Sequence, residues 1–156
     1  MLRVVVDTSV LISAIRSGNG AAAELIRLAV LRRFVLLMDY KLACEYREIA
    51  LRPSHLHASG KTAEEAEAIV DALEAVAEPV LVEMRYRPLS RDMDDDMVLD
   101  VAINGSADLV VTNNVKDFAQ AARSFGVRVL SAGECLTAFR EVDKGHAGES
   151  AQKFNQ

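Results

Sequence analysis

The chain has 156 residues, 51% of them hydrophobic and 26% charged, with a net charge of −5. This is the size and make-up of one globular domain with a core of its own. It has no run of about 18 apolar residues, so no membrane span is expected, and its charge does not advertise a nucleic-acid binder.

Cys44 and Cys135 stand alone, without CxxC or Cys/His spacing, so neither zinc nor a disulfide framework is indicated. A reduced, cytoplasmic protein is expected. Met1-Leu2-Arg3-Val4 leads straight into a strand pattern and leaves no room for a signal peptide.

In chain order, the first apolar run is Val4-Val5-Val6, followed at once by Asp7-Thr8-Ser9. Helical spacing fills residues 21–33 through Leu25, Leu28, Ala29 and Arg32. Residues 34–38 form a second apolar run. Residues 39–52 carry Leu42, Tyr46, Ile49 and Ala50 on one helical stripe. The stretch 53–60, with Pro53 and Gly60, reads as a loop. Thr62-Ala63-Glu64-Glu65 is a capping box that opens a helix over 62–77. Val80-Leu81-Val82 is a third apolar run.

A helix over 94–104 begins with acids suited to an N-terminus and is closed by Gly105. Leu109-Val110-Val111 and Val127-Arg128-Val129-Leu130 are the last two runs, each followed by a helix, near 117–125 and 132–142. Residues 143–156 are small and polar, with Gly145, Gly148 and Ser150, and are expected to form a mobile tail behind a domain over 1–142.

The apolar runs are continuous rather than alternating, as in strands buried on both faces. Their alternation with helices predicts an α/β fold, a three-layer sandwich around a parallel sheet of about five strands. The helices over 39–52 and 62–77 have no strand between them and should form a helical hairpin on one side.

In such a sheet ligands bind at the carboxyl ends of the strands, where the strand order reverses. Asp7 ends the first strand and Thr112-Asn113-Asn114 ends the fourth. Asp96 and Asp100 stand four apart, so they share a helix face. Helix capping accounts equally well for Asp94 and Asp95, but not for Asp100, which lies past the first turn. On the wheel of 39–52, Glu45 falls about 60° from Leu42, at the border of the apolar stripe, and Glu48 about 120° away. Glu45 can therefore face a cleft or pair at the surface with Lys41 or Arg52.

Gathered carboxylates repel one another, and a hard divalent cation, Mg²⁺ or Mn²⁺, is the usual reason for keeping them. The usual use of such an ion is chemistry at phosphate. Thr8 and Ser9 are placed to bond a metal-bound water or a phosphate, or to cap the first helix. Asn114 and Asp117 flank a turn near the same end. His55, His57 and His146 have no partner at catalytic spacing and read as solvated.

The segment Val6-Asp7-Thr8-Ser9-Val10-Leu11-Ile12 resembles a PIN domain, the nuclease domain of VapC-type toxins in bacterial toxin–antitoxin pairs. Glu45-Tyr46-Arg47-Glu48-Ile49 resembles the helix bearing that family's glutamate, and the acid-rich run from Asp92 to Asp100 its next site helix. Ala107-Asp108-Leu109-Val110-Val111-Thr112 and Asn113-Asn114-Val115-Lys116-Asp117-Phe118 are similar to the following strand and closing loop. The resemblance spans residues 2–140, and the order and spacing of its motifs carry it.

It implies Mg²⁺- or Mn²⁺-dependent hydrolysis of RNA phosphodiester bonds by Asp7, Glu45, Asp96 and Asp100. Thr8, Ser9, Thr112, Asn114 and Asp117 would stand beside them. It also implies an antitoxin partner and a homodimer. Two departures stand out. Asn114 occupies a position where many PIN domains have aspartate, so Asp100 would supply the missing charge. Ser9 stands where asparagine is common.

Competing readings fit less well. A receiver domain needs an acidic pair after the first strand and a lysine after the last. A haloacid-dehalogenase-type phosphatase needs an aspartate where Ser9 stands. A PIN-like module that binds RNA or protein without cutting draws its support from Asn114.

Overall fold

The computed structural model describes residues 1–85 and 93–153. Asp92, Arg87, Arg91 and residues 154–156 lie outside the described residues.

Strand β1 (Arg3–Val6) is followed by α1 (Thr8–Arg16), α2 (Ala21–Val30), β2 (Val35–Met38), α3 (Tyr40–Ala50), α4 (Pro53–Ser59) and α5 (Ala63–Val76). Then come β3 (Glu78–Pro79), α6 (Met93–Asn104), β4 (Leu109–Val111), α7 (Val115–Arg123), β5 (Arg128–Leu130) and α8 (Ala132–Lys153). The strands form one sheet in the order β3-β2-β1-β4-β5, and every pairing is parallel.

The chain thus starts in the middle, adds β2 and β3 on one side, and returns to add β4 and β5 on the other. The order reverses between β1 and β4, whose register pairs Val4 with Leu109 and Val6 with Val111. Consecutive residues Val4, Val5 and Val6 are all buried, because helices cover both faces of the sheet. Right-handed crossovers put α1 to α5 on one face and α6 and α7 on the other. Contacts among α1, α2, α3, α5 and α8, and of α6 with β1, β2 and β4, agree with this. The expected sandwich and its five-stranded parallel sheet are therefore present, and α3 packs on α5 as the expected hairpin.

Local chemistry explains where the elements differ from the sequence reading. Residues 53–59 are helix α4 rather than loop: Pro53 sits in the first turn, where its missing N–H costs nothing, and Gly60 ends the helix at φ +69°. The third strand falls at 78–79 rather than 80–82. The Val80 N–H still reaches the Met38 carbonyl at 2.9 Å. Beyond it, the Asn104 side chain takes the N–H groups of Glu83 and Met84, at 3.1 and 3.0 Å, away from any ladder. Helix α2 stops at Val30, and Arg32 adopts a left-handed turn at φ +56°. Helix α8 continues beyond residue 142 to Lys153, since Gly145 and Gly148 weaken a helix without breaking it.

Two features fix α6 against the sheet. A Cβ on Gly105 would lie 2.8 Å from the Val101 carbonyl oxygen and 2.9 Å from a Val80 methyl, so a larger residue cannot sit there. The Gly105 carbonyl accepts from Arg3 Nε at 3.0 Å and Nη2 at 2.9 Å. The end of α6 therefore lies at the start of β1. The helix runs back antiparallel to β1, and its first turns rise to the edge where β1 ends.

Candidate active site

Asp7 is the residue at which β1 gives way to α1. Its N–H continues the ladder to the Val111 carbonyl at 2.8 Å, and its carbonyl accepts the first helical bond from Val10. Its side chain does not cap α1. Instead Asp7 Oδ2 accepts two hydroxyl protons, from Ser9 Oγ at 2.6 Å and from Thr112 Oγ1 at 2.8 Å. Asp7 is 8% exposed, and among the described residues no ion pair involves it. Two neutral hydroxyl donors thus orient this buried carboxylate.

Helix α3 brings the second acid. Its stripe buries Leu42, Tyr46 and Ala50, and Glu45 lies half-buried at the border. Of the two roles open to it on the wheel, the structure shows the inward one: Glu45 Oε2 accepts from the Thr8 hydroxyl at 2.6 Å. Arg52 is engaged by the exposed Glu48 at 3.5 Å instead.

Next to Glu45 on α3 stands Tyr46, fully buried, whose hydroxyl donates to the Val6 carbonyl immediately before Asp7. Burial pushes its phenol well above the ordinary value of 10, and the negative charges of Asp7, Glu45 and Asp39 push it further. Tyr46 thus lies inside the field of three carboxylates at the carboxyl edge of β1 and β2. Asp39 itself caps α3, accepting from the Leu42 N–H at 2.8 Å.

Asp96 and Asp100 are buried on α6, at 3% and 4% exposure. Four helical residues separate them by about 6 Å along the axis, with Asp96 nearer the edge where Asp7 lies. Thr112 is wholly buried and binds Asp7. Asn114 caps α7 without using its side chain, and its N–H donates to Thr112 Oγ1 at 3.0 Å. Asp117 is exposed in the first turn of α7.

Among the described residues there is no group of three or more His, Cys, Asp or Glu side chains that could hold a metal ion. The donors themselves are of the right kind: carboxylate oxygens suit Mg²⁺ or Mn²⁺, and neutral hydroxyls orient two of them. Three participants in this network were not singled out from sequence. They are Tyr46, hidden as one more large residue on an apolar stripe, and Asn113 and Ser13, joined by the Asn113 side-chain amide donating to Ser13 Oγ at 2.9 Å, which look like ordinary turn and helix polars. The one available signal was the phenol hydroxyl on a stripe otherwise made of aliphatic groups.

Residues 3–116 match the PIN domain family, close to three quarters of the chain. The chain belongs to the PIN domain family. No curated protein matches it. The matched span contains Asp7, Glu45, Asp96, Asp100, Thr112 and Asn114, and ends just before Asp117. PIN domains usually are metal-dependent nucleases that act on RNA. No helix among the described residues is long and apolar enough to cross a membrane.

Proposed function

We propose that this PIN domain is a Mg²⁺- or Mn²⁺-dependent endoribonuclease, the toxin of a type II toxin–antitoxin pair acting in the cytoplasm. The observation that supports it most is Asp7: a buried carboxylate at the switch between β1 and β4, held by two hydroxyls, in a family of nucleases.

In this reading Asp7, Glu45, Asp96 and Asp100 would hold the metal, which would draw together carboxylates that do not form a metal-holding group among the described residues of this structure. When bound, the ion supplies an activated water and stabilises charge on the phosphate oxygens. Ser9 and Thr112 fix the direction of the Asp7 carboxylate, and Thr8 that of Glu45. Asp96 and Asp100 supply charge from one face of α6. Asn114 and Asp117, exposed at the start of α7, face the RNA. Residues 1–142 form the nuclease domain and 143–156 a tail. The partners are RNA, an antitoxin and a second copy of the chain.

The test is cleavage of single-stranded and structured RNA in Mg²⁺, in Mn²⁺ and in chelator. Asp7→Asn and Asp96→Asn should abolish metal-dependent cleavage, Glu45→Gln nearly so, and Glu48→Gln should leave it intact. Cleavage by Asp7→Asn at the parent's rate rules the mechanism out. A parent that binds RNA without cutting it in any metal makes the chain a binding module, as the Asn114 position would allow. Sedimentation at micromolar concentration tests the homodimer; a monomer of 17.0 kDa removes that claim and leaves the chemistry standing.

A further inference from the structure

The turn after β4 does more than carry Asn114. Its two successive backbone N–H groups point at the two hydroxyls that hold Asp7. The Asn113 N–H donates to Ser9 Oγ at 3.2 Å, and the Asn114 N–H to Thr112 Oγ1 at 3.0 Å. A hydroxyl has one proton to give. With a backbone N–H on its acceptor side, each hydroxyl directs that proton to Asp7 Oδ2. One carboxylate oxygen is thereby taken up by two short O–H bonds, and Oδ1 becomes the oxygen that meets a ligand.

The turn itself needs an anchor, and the Asn113 side chain provides it. Its Nδ2 donates to the Ser9 carbonyl at 3.1 Å and to Ser13 Oγ at 2.9 Å, tying the β4–α7 turn to the first two turns of α1. Asn113 is exposed, so this anchor does not serve the core.

We propose that Asn113 is a positioning residue for the metal site: it clamps the turn to α1 so that Ser9 keeps its hydroxyl on Asp7 Oδ2 and Asp7 offers Oδ1 alone. The proposal rests on the metal-dependent reading for its ligand but not for its geometry. The same geometry accounts for serine at position 9: its short hydroxyl reaches Asp7 and still accepts the turn's N–H.

The test is a double-mutant cycle read as Mn²⁺ affinity by calorimetry on the full chain. Asn113→Ala and Ser9→Ala should each weaken Mn²⁺ binding by about 10-fold, the scale for losing a ligand's hydrogen-bond partner. The double variant should lose clearly less than the two single losses added, because Asn113 acts in part through the Ser9 hydroxyl that Ser9→Ala already removes. Ser9→Thr, which keeps the hydroxyl, should bind like the parent. Additive losses, or an Asn113→Ala variant with the parent's affinity, overturn the proposal.

A crystal structure of metal-free Asn113→Ala tests the geometry separately. Movement of Ser9 Oγ out of hydrogen-bond range of Asp7 Oδ2 supports the clamp, and an unmoved Ser9 overturns it. A parent that binds no Mn²⁺ defeats the metal reading, and the crystal structure then decides the clamp alone.

Discussion

At the amino edge of the sheet, Arg3 collects negative charge. Its guanidinium meets Glu78 at 2.8 and 3.2 Å, its backbone N–H meets Asp108 at 2.8 Å, and its remaining N–H groups take the Gly105 carbonyl. At the carboxyl edge of the same strand, Asp7 is met by Ser9 and Thr112, and Glu45 by Thr8. The two edges are one strand of four residues apart, yet they treat carboxylates in different ways. A cation cancels the charge it holds and adds a little stability. A hydroxyl directs the carboxylate and leaves its charge for something else. Acids of the first kind should matter to the fold, and acids of the second kind to function.

The largest effect that would sharpen this contrast is expected at Asp100. If it supplies the charge that Asn114 lacks, Asp100→Asn lowers metal-dependent cleavage by more than about 100-fold, beyond the loss of a ligand's hydrogen-bond partner. Its metal-free thermal midpoint, measured beside cleavage, separates loss of a metal ligand from loss of the fold. Arg3→Gln should keep full cleavage. An Asp100→Asn variant that cuts normally would place Asp100 outside the metal site.

Next comes Tyr46, which belongs to both worlds. Tyr46→Phe leaves the buried Val6 carbonyl without its hydroxyl donor, at a cost of about 1–3 kcal/mol. Because that carbonyl immediately precedes Asp7, cleavage should fall several-fold as well. Urea unfolding and single-turnover cleavage measure the two parts. A loss of stability with unchanged cleavage would make Tyr46 a core residue alone.

Smaller still is Arg3→Gln, which removes donors from the Gly105 carbonyl and one partner of Glu78. The arginine side chain is 32% exposed, so solvent screening holds the expected loss to about 1 kcal/mol or less. Urea midpoints for parent and variant measure it. A loss several times larger would mean that the amino edge depends on this cluster far more than exposed pairs allow.

Much of this contrast could be read before any coordinates. Continuous apolar runs are a strong signal for strands covered on both faces, and β1, β2 and β4 lie where such runs are; β5 also falls on its run, although at the sheet edge it is exposed or half-buried. The capping box at Thr62 and Glu65 is present in full. Short elements were less legible. Helix α4 looks like a loop because its seven residues bury no side chain and so carry no apolar period. Strand β3 has just two residues and is defined by a partner strand rather than by its own composition.

At the candidate site, the position of Asp7 could be read because a strand end is visible in sequence, and the inward side of Glu45 because a wheel shows the border of a stripe. The clamp from Asn113 to Ser9 and Ser13 could not. It joins positions about 100 residues apart through a backbone N–H and a side-chain amide, and the spacing of residue types carries no trace of it.

The smallest expected effect is at Glu78, and its sign separates charge from hydrogen bonding at the amino edge. The Arg3 hydrogen bond holds the Glu78 carboxyl below its ordinary value of 4.5, against an opposing effect of burial and with a lesser lowering by the Arg3 charge. A folded-state value below the unfolded one contributes stability above the unfolded value, and that stability is lost as pH falls through the folded value. Glu78→Gln should therefore be slightly less stable than the parent near neutral pH. The gap should close on acidification below about pH 4.5, where the parent's carboxylate also takes up its proton. Added salt should narrow it at neutral pH, since both partners are solvent-exposed. Urea midpoints at several pH values, at low and high salt, give the answer. A gap that persists unchanged into acid would mean that Arg3 holds Glu78 by hydrogen-bond geometry alone, and the amino edge would then differ less from the carboxyl edge than its charges suggest.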